Sequence, residues 1–233
     1  MKEMLYEGKS KQVFLTEKED EYLIHYKDDA TAGNGEKHDQ FVGKGVLNNT
    51  ISALIFKMLE EKGIKTHMID KLNDTDILVK KVTIFPLEVI IRNISTGSFC
   101  KRVGFKEGVT FEQPIFEICY KNDDYKDPLI NKDHAIAMGL CTLEQYNYIK
   151  DATLQINSLL KEFFLQFNLK LVDFKIEFGY TDNNEILLAD EISPDTCRLW
   201  DINTNQKYDK DVFRQGIGDL LETYQEVLNR LQK

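Results

Sequence analysis

Short runs of apolar residues, separated by polar turns, predict a series of strands. KQVFLTEKEDEYLIHYKD predicts two strands around a charged turn at Glu17–Glu21. THMIDKLNDTDILVKKVTIFPLEVIIRN predicts three strands, separated by Asn73-Asp74 and by Pro86. LVDFKIEFGYTDNNEILLADEIS predicts a β-hairpin whose turn lies at TDNNE. Short turns favour antiparallel pairing, so we expect mainly antiparallel sheets.

A helical spacing of apolar residues replaces this pattern in three other segments. VLNNTISALIFKMLEEKGI predicts a helix that ends at Gly63. TLEQYNYIKDATLQINSLLKEFFLQFN predicts the longest helix, with Thr142 as N-cap and Gln145 near the third helical position. DVFRQGIGDLLETYQEVLNRLQ predicts one amphipathic helix. This order of elements predicts an α+β fold of two lobes divided near Pro86, an N-terminal lobe at 1–85 and a C-terminal lobe at 86–233.

Composition limits the partners and the compartment of the protein. The chain has 233 residues and a formal net charge of -9, which argues against nucleic acid or an anionic membrane as the main partner. Its four cysteines form no CxxC pair, so we expect reduced thiols. No apolar run approaches the length of a membrane span. A cytoplasmic location is therefore expected.

The segment YEGKSKQVF contains Gly8-Lys9-Ser10, which is also how a P-loop ends. A P-loop needs a glycine where this chain has Glu3, and a helix where Val13-Phe14-Leu15 predicts a strand. These two mismatches exclude a P-loop. Lys9 and Lys11 are one strand period apart, so both ammonium groups are predicted on one side of an extended hairpin.

Alternation in LVDFKIEFG places Asp173, Lys175 and Glu177 on one face of a strand whose other face is apolar. Such charges need partners or a cleft, because burying them unpaired costs several kcal/mol. If Asp190 on the return strand pairs opposite Lys175, Glu177 lies diagonally across, about 7–8 Å away, whereas a one-residue slip would send Asp190 to the other face. An oxygen-only pair of this kind suits Mg²⁺ shared with nucleotide phosphates. The alternative is an exposed polar face with surface ion pairs.

A second candidate site begins in PLEVIIRNISTGSFCKR, where Arg92 is predicted to end a strand before the small residues STGS. The N–H groups and hydroxyls of such a turn can surround an anion, and an arginine beside it suits bidentate phosphate recognition. Arg198 follows in DEISPDTCRLWD, within a loop that begins where the metal carboxylates end. A surface turn with a rim of charge is the alternative for STGS. Trp200 is predicted to be a core residue.

Eight segments of the chain occur in the order typical of one enzyme family. The chain resembles the phosphoribosylaminoimidazole-succinocarboxamide synthase (SAICAR synthetase) family of purine biosynthesis over nearly its whole length. The resemblance implies a two-lobed ATP-grasp-like fold with mainly antiparallel sheets and flanking helices. It also implies a ligase that joins carboxyaminoimidazole ribotide (CAIR) to L-aspartate while ATP becomes ADP and phosphate. The segments are YEGKSKQVF, DDATAGNGEK, KGVLNN, LVKK, PLEVIIRNISTGS, KNDDYKDP, LVDFKIEFG and LLADEISPDTCRLWD.

The resemblance implies roles for individual residues. Mg²⁺ would be held by Glu177 and Asp190, and the imidazole end of the ribotide would lie near Asp173 and Lys175. Catalytic roles would fall to Lys175, Asp173 and Lys11. The hairpin with Lys9 and Lys11 would hold the ATP phosphates, and a strand at Lys80 to Ile84 would receive adenine through backbone groups. Together with the two metal ligands, the ATP-binding residues would be Lys9, Ser10, Lys11, Val13, Lys80, Val82, Ile84, Glu177 and Asp190. The ribotide phosphate would be gripped by Arg92, Ser98 and Arg198.

The glycine-bearing loop DDATAGNGEK would border the substrates through Gly33 and Asn34. Asn34 stands where the family commonly has an aspartate, so this position carries no charge here. ATP is the expected co-substrate and Mg²⁺ the expected metal. The expected partners are CAIR, L-aspartate and a second copy of the chain in a homodimer, without nucleic acid or membrane.

The reaction sets requirements of its own, because a carboxylate and an amine do not condense in water until an oxygen becomes a leaving group. We therefore expect an acyl phosphate on CAIR that the aspartate amine attacks, with catalysis by positioning and charge neutralisation. There are two alternatives. One is a small-molecule kinase of similar fold, such as an inositol-phosphate kinase, which would share the lysines and the carboxylate hairpin. The other is a nucleotide-binding regulatory module without chemistry.

Overall fold

The computed structural model describes residues 3–32 and 37–233. Runs of strands are separated by helices along the described chain. Every sheet pairing between strands is antiparallel. The α+β prediction is therefore confirmed.

A five-stranded sheet is formed by the first part of the chain, in the order β1-β2-β3-β7-β6. Its strands are β1 (Met4–Glu7), β2 (Lys11–Leu15), β3 (Glu21–Tyr26), β6 (Met68–Lys71) and β7 (Asp76–Lys80). β4 (Asp29–Ala32) and β5 (Lys37–Gln40) pair with each other as a separate hairpin. A small apolar cluster of Ile24, Tyr26, Ile77 and Val79 lies on this sheet, with Val13 packed against it.

A seven-stranded sheet carries the long central strand of the molecule. Its main path is β11-β10-β9-β12-β13, and β8 and β14 also pair with β12. The strands are β8 (Thr83–Ile84), β9 (Leu87–Ile94), β10 (Thr110–Tyr120), β11 (Leu129–Ile130), β12 (Leu169–Tyr180), β13 (Ile186–Ala189) and β14 (Cys197–Asp201). The segment predicted as three strands thus holds four, since Thr83–Ile84 forms a short strand of its own.

Six α-helices flank the sheets in the described residues: α1 (Lys44–Glu61), α2 (Gly97–Val103), α3 (Lys132–Ala137), α4 (Leu143–Gln166), α5 (Asp211–Gln215) and α6 (Leu220–Leu231). The prediction of one closing helix was wrong. Gly216 takes a left-handed φ of 65° and ends α5, and the Asp219 side chain accepts a hydrogen bond from Glu222 N to begin α6.

One large apolar core joins α1, α4 and α6 to the seven-stranded sheet. It includes Ile51 and Ile55 of α1, Ile156 of α4, Phe174 of β12 and Tyr224 of α6, each almost wholly buried. Helix α1 belongs by sequence to the predicted N-terminal lobe yet packs in this core, and the division at residue 85 stays a prediction. Within the described ranges, no helix combines the length and the apolar character needed to cross a membrane.

Candidate active site

The strand β12 carries a row of three charged side chains at alternate positions. Asp173 and Glu177 are almost completely buried, and Lys175 between them is partly buried. β9 pairs with the first half of β12, with Asp173 opposite Arg92. β13 and β8 pair with the second half. The row therefore runs through the interior of the sheet, and the predicted alternative of an exposed polar face does not describe it.

Lysine ammonium groups and carboxylates alternate around the Glu177 end of this row. Lys175 Nζ lies 2.8 Å from Glu177 Oε1, 3.4 Å from Asp190 Oδ2 and 3.2 Å from Glu88 Oε1. Lys121 Nζ lies 2.5 Å from Glu177 Oε2. From the first sheet, Lys11 Nζ donates to Asp190 and lies 3.6 Å from Glu191 Oε1. Three cations thus converge on the two predicted metal ligands.

Asp190 reaches this cluster by an unexpected route. The strands pair with Glu177 opposite Ala189, so Asp190 is not opposite Lys175 as the predicted register required. This one-residue shift would turn the Asp190 side chain to the other face if the strand continued. The strand ends at Ala189, however, and Asp190 has a left-handed φ of 62°. That departure from extended geometry brings its carboxylate back to the Lys175 side.

The charges in the cluster hold one another ionised. Burial alone would lower the pKa of Lys11, but the carboxylates of Asp190 and Glu191 outweigh burial and raise it. The pKa of Lys175 is raised against the same opposing effect of burial, chiefly by Glu177 and Asp190. Burial would raise the pKa of Asp190, and the facing lysines lower it instead. The site therefore keeps ammonium groups and carboxylates together at neutral pH.

A buried arginine pair occupies the other end of the β12 row. Asp173 Oδ2 accepts hydrogen bonds from Arg92 Nη1 at 3.0 Å and from Arg198 Nη1 at 2.8 Å. Arg92 also donates from Nε to Glu117 at 2.8 Å and from Nη2 to the Ser98 hydroxyl at 3.1 Å. The structure therefore brings together all three residues predicted to grip a phosphate.

The β1–β2 hairpin places its two lysines on different acidic groups. Gly8 N donates to Lys11 O at 2.8 Å, which closes a tight turn. Lys9 Nζ lies 2.7 Å from Asp123 Oδ1, in an exposed pair with a 3-10 turn at Asp123–Tyr125, while Lys11 points inward to Asp190. The hairpin therefore spans from the carboxylate cluster to the KNDDYKDP loop.

Comparisons with known proteins agree with this arrangement. The family model described as SAICAR synthetase matches residues 4–231. The chain belongs to the SAICAR synthetase family. It is 65% identical over 230 residues to the phosphoribosylaminoimidazole-succinocarboxamide synthase of Finegoldia magna, covering 99% of each chain.

Solved structures support the same family. The crystal structure of the Ehrlichia chaffeensis enzyme is similar with a TM-score of 0.97 and 46% identity, covering 99% of this chain and 98% of that one. A SAICAR synthetase in complex with ADP is similar with a TM-score of 0.95 and 45% identity, covering 98% and 97%. The predicted fold is confirmed, and the predicted ligase family is favoured over the kinase alternative.

The predicted adenine strand of SAICAR synthetase is interrupted in this chain. Lys80 ends β7 and Ile84 lies in β8, with residues 81–82 between the two strands, so Lys80 to Ile84 do not form one strand. Val82 packs directly over Gly179 of β12, where an added Cβ would lie 2.6 Å from Val82 Cγ2. The segment thus lies against β12 two residues beyond Glu177.

The donor set at Glu177 and Asp190 is small. Among residues 3–32 and 37–233, no group of three or more histidine, cysteine, aspartate or glutamate side chains could hold a metal ion. Two carboxylates suit Mg²⁺, which keeps several waters and shares ligands with phosphates, better than a metal that needs a full protein cage. The oxygen-only chemistry of this pair therefore fits the predicted Mg²⁺.

Several charged residues of the site escaped the sequence prediction. Glu88, Glu117, Lys121 and Asp211 all contact predicted site residues. Lys121 lies in KNDDYKDP, one of the eight segments that carry the family resemblance, and Glu88 lies four residues before Arg92, on the same face of β9. Glu117 and Asp211 gave no signal, because only the fold brings them to the arginines. Gly33 and Asn34, predicted to border the substrates, lie outside the described residues.

The prediction that Trp200 is a core residue was confirmed. The four cysteines form no disulfide, and their reduced state stays a prediction.

Proposed function

We propose that this chain joins CAIR and L-aspartate to give SAICAR, with ATP converted to ADP and phosphate. The observation that carries the proposal is the β12 row, which connects an arginine pair at Asp173 to a lysine and carboxylate cluster at Glu177. Four residues of strand separate the two ends, which is about 13 Å. That length suits a small ribotide whose phosphate lies at the arginines and whose carboxylate reaches the lysines.

The arginine end has the charge needed for a phosphate. Four arginines and three carboxylates are connected there by ion pairs, which leaves one net positive charge. The residues are Arg92, Arg102, Arg198, Arg214, Asp173, Glu117 and Asp211. Guanidinium groups fixed by buried carboxylates present their remaining N–H donors in set directions. This supports the ribotide phosphate at Arg92, Ser98 and Arg198.

The other end suits the phosphates of ATP. Lys9 and Lys11 come from the β1–β2 hairpin, and Lys175 comes from β12 between the two ends of the row. Bound Mg²⁺ at Glu177 and Asp190 would neutralise developing charge on the transferred phosphoryl group. The lysines that now pair with these carboxylates would then turn to phosphate oxygens. The ammonium groups that would contact the ATP phosphates are therefore already in the cluster before ATP binds.

The proposed chemistry balances without a protein nucleophile. A carboxylate oxygen of CAIR attacks the γ-phosphorus of ATP, and ADP leaves. The aspartate amine then attacks the acyl carbon, the carbon–oxygen bond breaks, and phosphate leaves with that oxygen, while the nitrogen loses a proton to solvent or to the leaving phosphate. Lys175 is placed to neutralise the carboxylate during both steps, while Asp173 orients the arginines that hold the ribotide.

Isotope transfer tests this proposal. CAIR with ¹⁸O in its carboxylate, incubated with ATP, Mg²⁺ and L-aspartate, should release phosphate carrying one labelled oxygen for each amide formed. A kinase acting on a hydroxyl acceptor would release no labelled phosphate. Amide formation with unlabelled phosphate would contradict the acyl phosphate, and ADP release that does not depend on aspartate would contradict the ligase itself.

Two further features belong to the proposal. The free thiols fit a reducing compartment, so we place the reaction in the cytoplasm. The homodimer also stays a prediction. Light scattering after size-exclusion chromatography would measure the molar mass of the protein in solution and so distinguish one copy from two.

A further inference from the structure

Gly97 lies unusually close to the Arg198 guanidinium. A Cβ atom at Gly97 would lie 2.6 Å from Arg198 Nη2, 2.9 Å from Cζ and 3.0 Å from Nη1. Such distances are below normal van der Waals contact, so the guanidinium occupies space that any other residue would fill. Gly97 also has a φ of 57°, in the left-handed region that favours glycine.

The turn that contains Gly97 is fixed from behind. Ser95 and Thr96 are fully buried, and the Ser95 hydroxyl donates to Lys106 O at 2.7 Å and accepts from Val109 N at 2.9 Å. The Thr96 hydroxyl donates to Glu107 Oε1 at 2.7 Å. Because these bonds hold the turn, it cannot easily move away from an added methyl group.

Arg198 is held on its other sides as well. Its Nε donates to Asp211 Oδ2 at 2.9 Å, and its Nη1 donates to Asp173 Oδ2 at 2.8 Å. Among the described residues, Nη2 donates no hydrogen bond to a protein acceptor, whereas Nε and Nη1 each donate one. Nη2 is also the atom nearest the Gly97 methyl position. A methyl group there would therefore displace the nitrogen whose two N–H groups are both left for a ligand.

We propose that Gly97 is a positioning residue for Arg198. The absence of a side chain at Gly97 lets Arg198 Nη2 lie beside Ser98 and Arg92, so that both arginines can bind the same phosphate group. This inference rests on the proposed binding of the ribotide phosphate at these arginines. The role of the glycine in STGS is then to leave room for the Arg198 guanidinium, rather than to bind the anion through its own backbone N–H group.

The test compares Gly97→Ala with Gly104→Ala, a matched control at the other end of α2. Gly104 also has a left-handed φ, 65°, but no atom lies within 4 Å of its Cβ position. Both variants carry backbone strain, and only Gly97→Ala displaces Arg198. We expect Gly97→Ala to raise the KM for CAIR at least about tenfold while the KM for ATP changes less than about twofold. Gly104→Ala should leave both within about twofold of the wild type.

Arg198→Lys completes a double-mutant cycle. It should raise the KM for CAIR by itself, because lysine lacks the planar fork. Adding Gly97→Ala to it should raise that KM no further, since the displaced group is already gone. If Gly97→Ala alone does not fold, the double variant should still fold, because the shorter ammonium group leaves room for the methyl.

Any of several results would overturn the inference. They include equal effects of Gly97→Ala and Gly104→Ala, additive effects of Gly97→Ala and Arg198→Lys, and failure of the double variant to fold while Gly104→Ala folds. An unchanged KM for CAIR in Arg198→Lys would remove Arg198 from the phosphate site and overturn the inference with it. Aspartate-dependent ADP release in the same variant would leave the ligase proposal standing.

Discussion

Asp173 shows how one buried carboxylate organises the end of the site that is proposed to bind the ribotide. A single oxygen, Oδ2, accepts from both Arg92 and Arg198, so the two guanidinium groups are fixed relative to each other. Removing one partner of such a buried pair is costly because it leaves an uncompensated charge. The spacing of the two arginines therefore depends on Asp173 as much as on the strands that carry them.

Arg92→Lys tests the geometry of the arginine rather than its charge. Arg92 donates from Nε, Nη1 and Nη2 to three different side chains, and lysine cannot reproduce that planar arrangement. We expect the KM for CAIR to rise at least about tenfold, which is about 1.4 kcal/mol, with little change in the KM for ATP. Steady-state kinetics with each substrate varied would measure both values. An unchanged KM for CAIR would remove Arg92 from the ribotide site.

Glu177→Gln and Asp190→Asn test the proposed metal ligands. Each variant keeps the size of the side chain but removes a charge that Mg²⁺ requires, so both should nearly abolish turnover. Titration calorimetry of ADP with and without Mg²⁺ should show that the metal no longer strengthens nucleotide binding. Glu185→Gln is the control, because Glu185 lies in the same hairpin connection and pairs on the surface with Lys65. Normal activity in either ligand variant at saturating Mg²⁺ would contradict the assignment.

The alternation of apolar and charged residues was enough to predict that Asp173, Lys175 and Glu177 share one face of β12, because side chains point to alternate faces in any strand. It could not give the register, because the return strand leaves extended geometry at Asp190, and a left-handed aspartate has no clear signature in the sequence. It also could not find Lys121 or Glu88 as partners of the row. Those contacts depend on which strands become neighbours.

At the scale of single elements, local signals were the most reliable. Thr142 begins α4 as predicted, with its hydroxyl accepting from Gln145 N at 3.2 Å and its own N–H donating to Gln145 Oε1 at 2.8 Å. A capping box needs only residues close in sequence, so the pattern is readable without the fold. The split between α5 and α6 was missed because the amphipathic pattern continues across the two glycines.

Thr142→Ala should destabilise the protein without changing the chemistry. Loss of the N-cap leaves a helix N–H without its side-chain acceptor, which costs about 1 kcal/mol. Urea unfolding would measure the loss, and the KM for each substrate should stay unchanged. The control is Ser158→Ala in the same helix, whose hydroxyl only donates back to Leu154 O and should contribute little. Equal destabilisation by both variants would mean that the cap is not the cause.

The arrangement of the whole molecule was beyond prediction from patterns. The contact between Lys11 and Asp190 joins residues 179 apart in sequence and links the two sheets. No local pattern specifies such a pair; the resemblance implied only that both residues belong to one ATP-binding set. The α+β class followed from the elements themselves, whereas the packing of α1 into the large core depends on contacts with α6, at the far end of the chain.

Asp209 couples the stability of the whole molecule to pH. It is fully buried, and its carboxylate accepts hydrogen bonds from Leu199 N at 3.0 Å and Asp211 N at 2.8 Å. Burial and the nearby negative charge of Asp211 raise its pKa to about 7, against the opposing effect of Arg198 and the two N–H donors. The folded protein therefore keeps a proton that the unfolded chain loses near its ordinary pKa of 3.8.

Asp209→Asn should remove this pH dependence. Because the folded pKa is raised, the contribution of Asp209 to stability is fully present below about pH 4 and is lost as pH rises through about 7. Between pH 5 and pH 8 the free energy of unfolding of the wild type should therefore fall by up to about 3 kcal/mol relative to that of Asp209→Asn, which cannot ionise. The two N–H groups bond to different oxygens of Asp209, so the single amide oxygen of asparagine keeps one of these bonds, and the loss of the other lowers stability equally at both pH values. Urea unfolding at both pH values would measure the difference, with the exposed Asp182→Asn as control. If Asp209→Asn and the wild type lose stability in parallel over this range, Asp209 is already ionised in the folded protein at pH 5, and the buried carboxylate must be stabilised by Arg198 and its N–H donors more strongly than its burial and Asp211 oppose it.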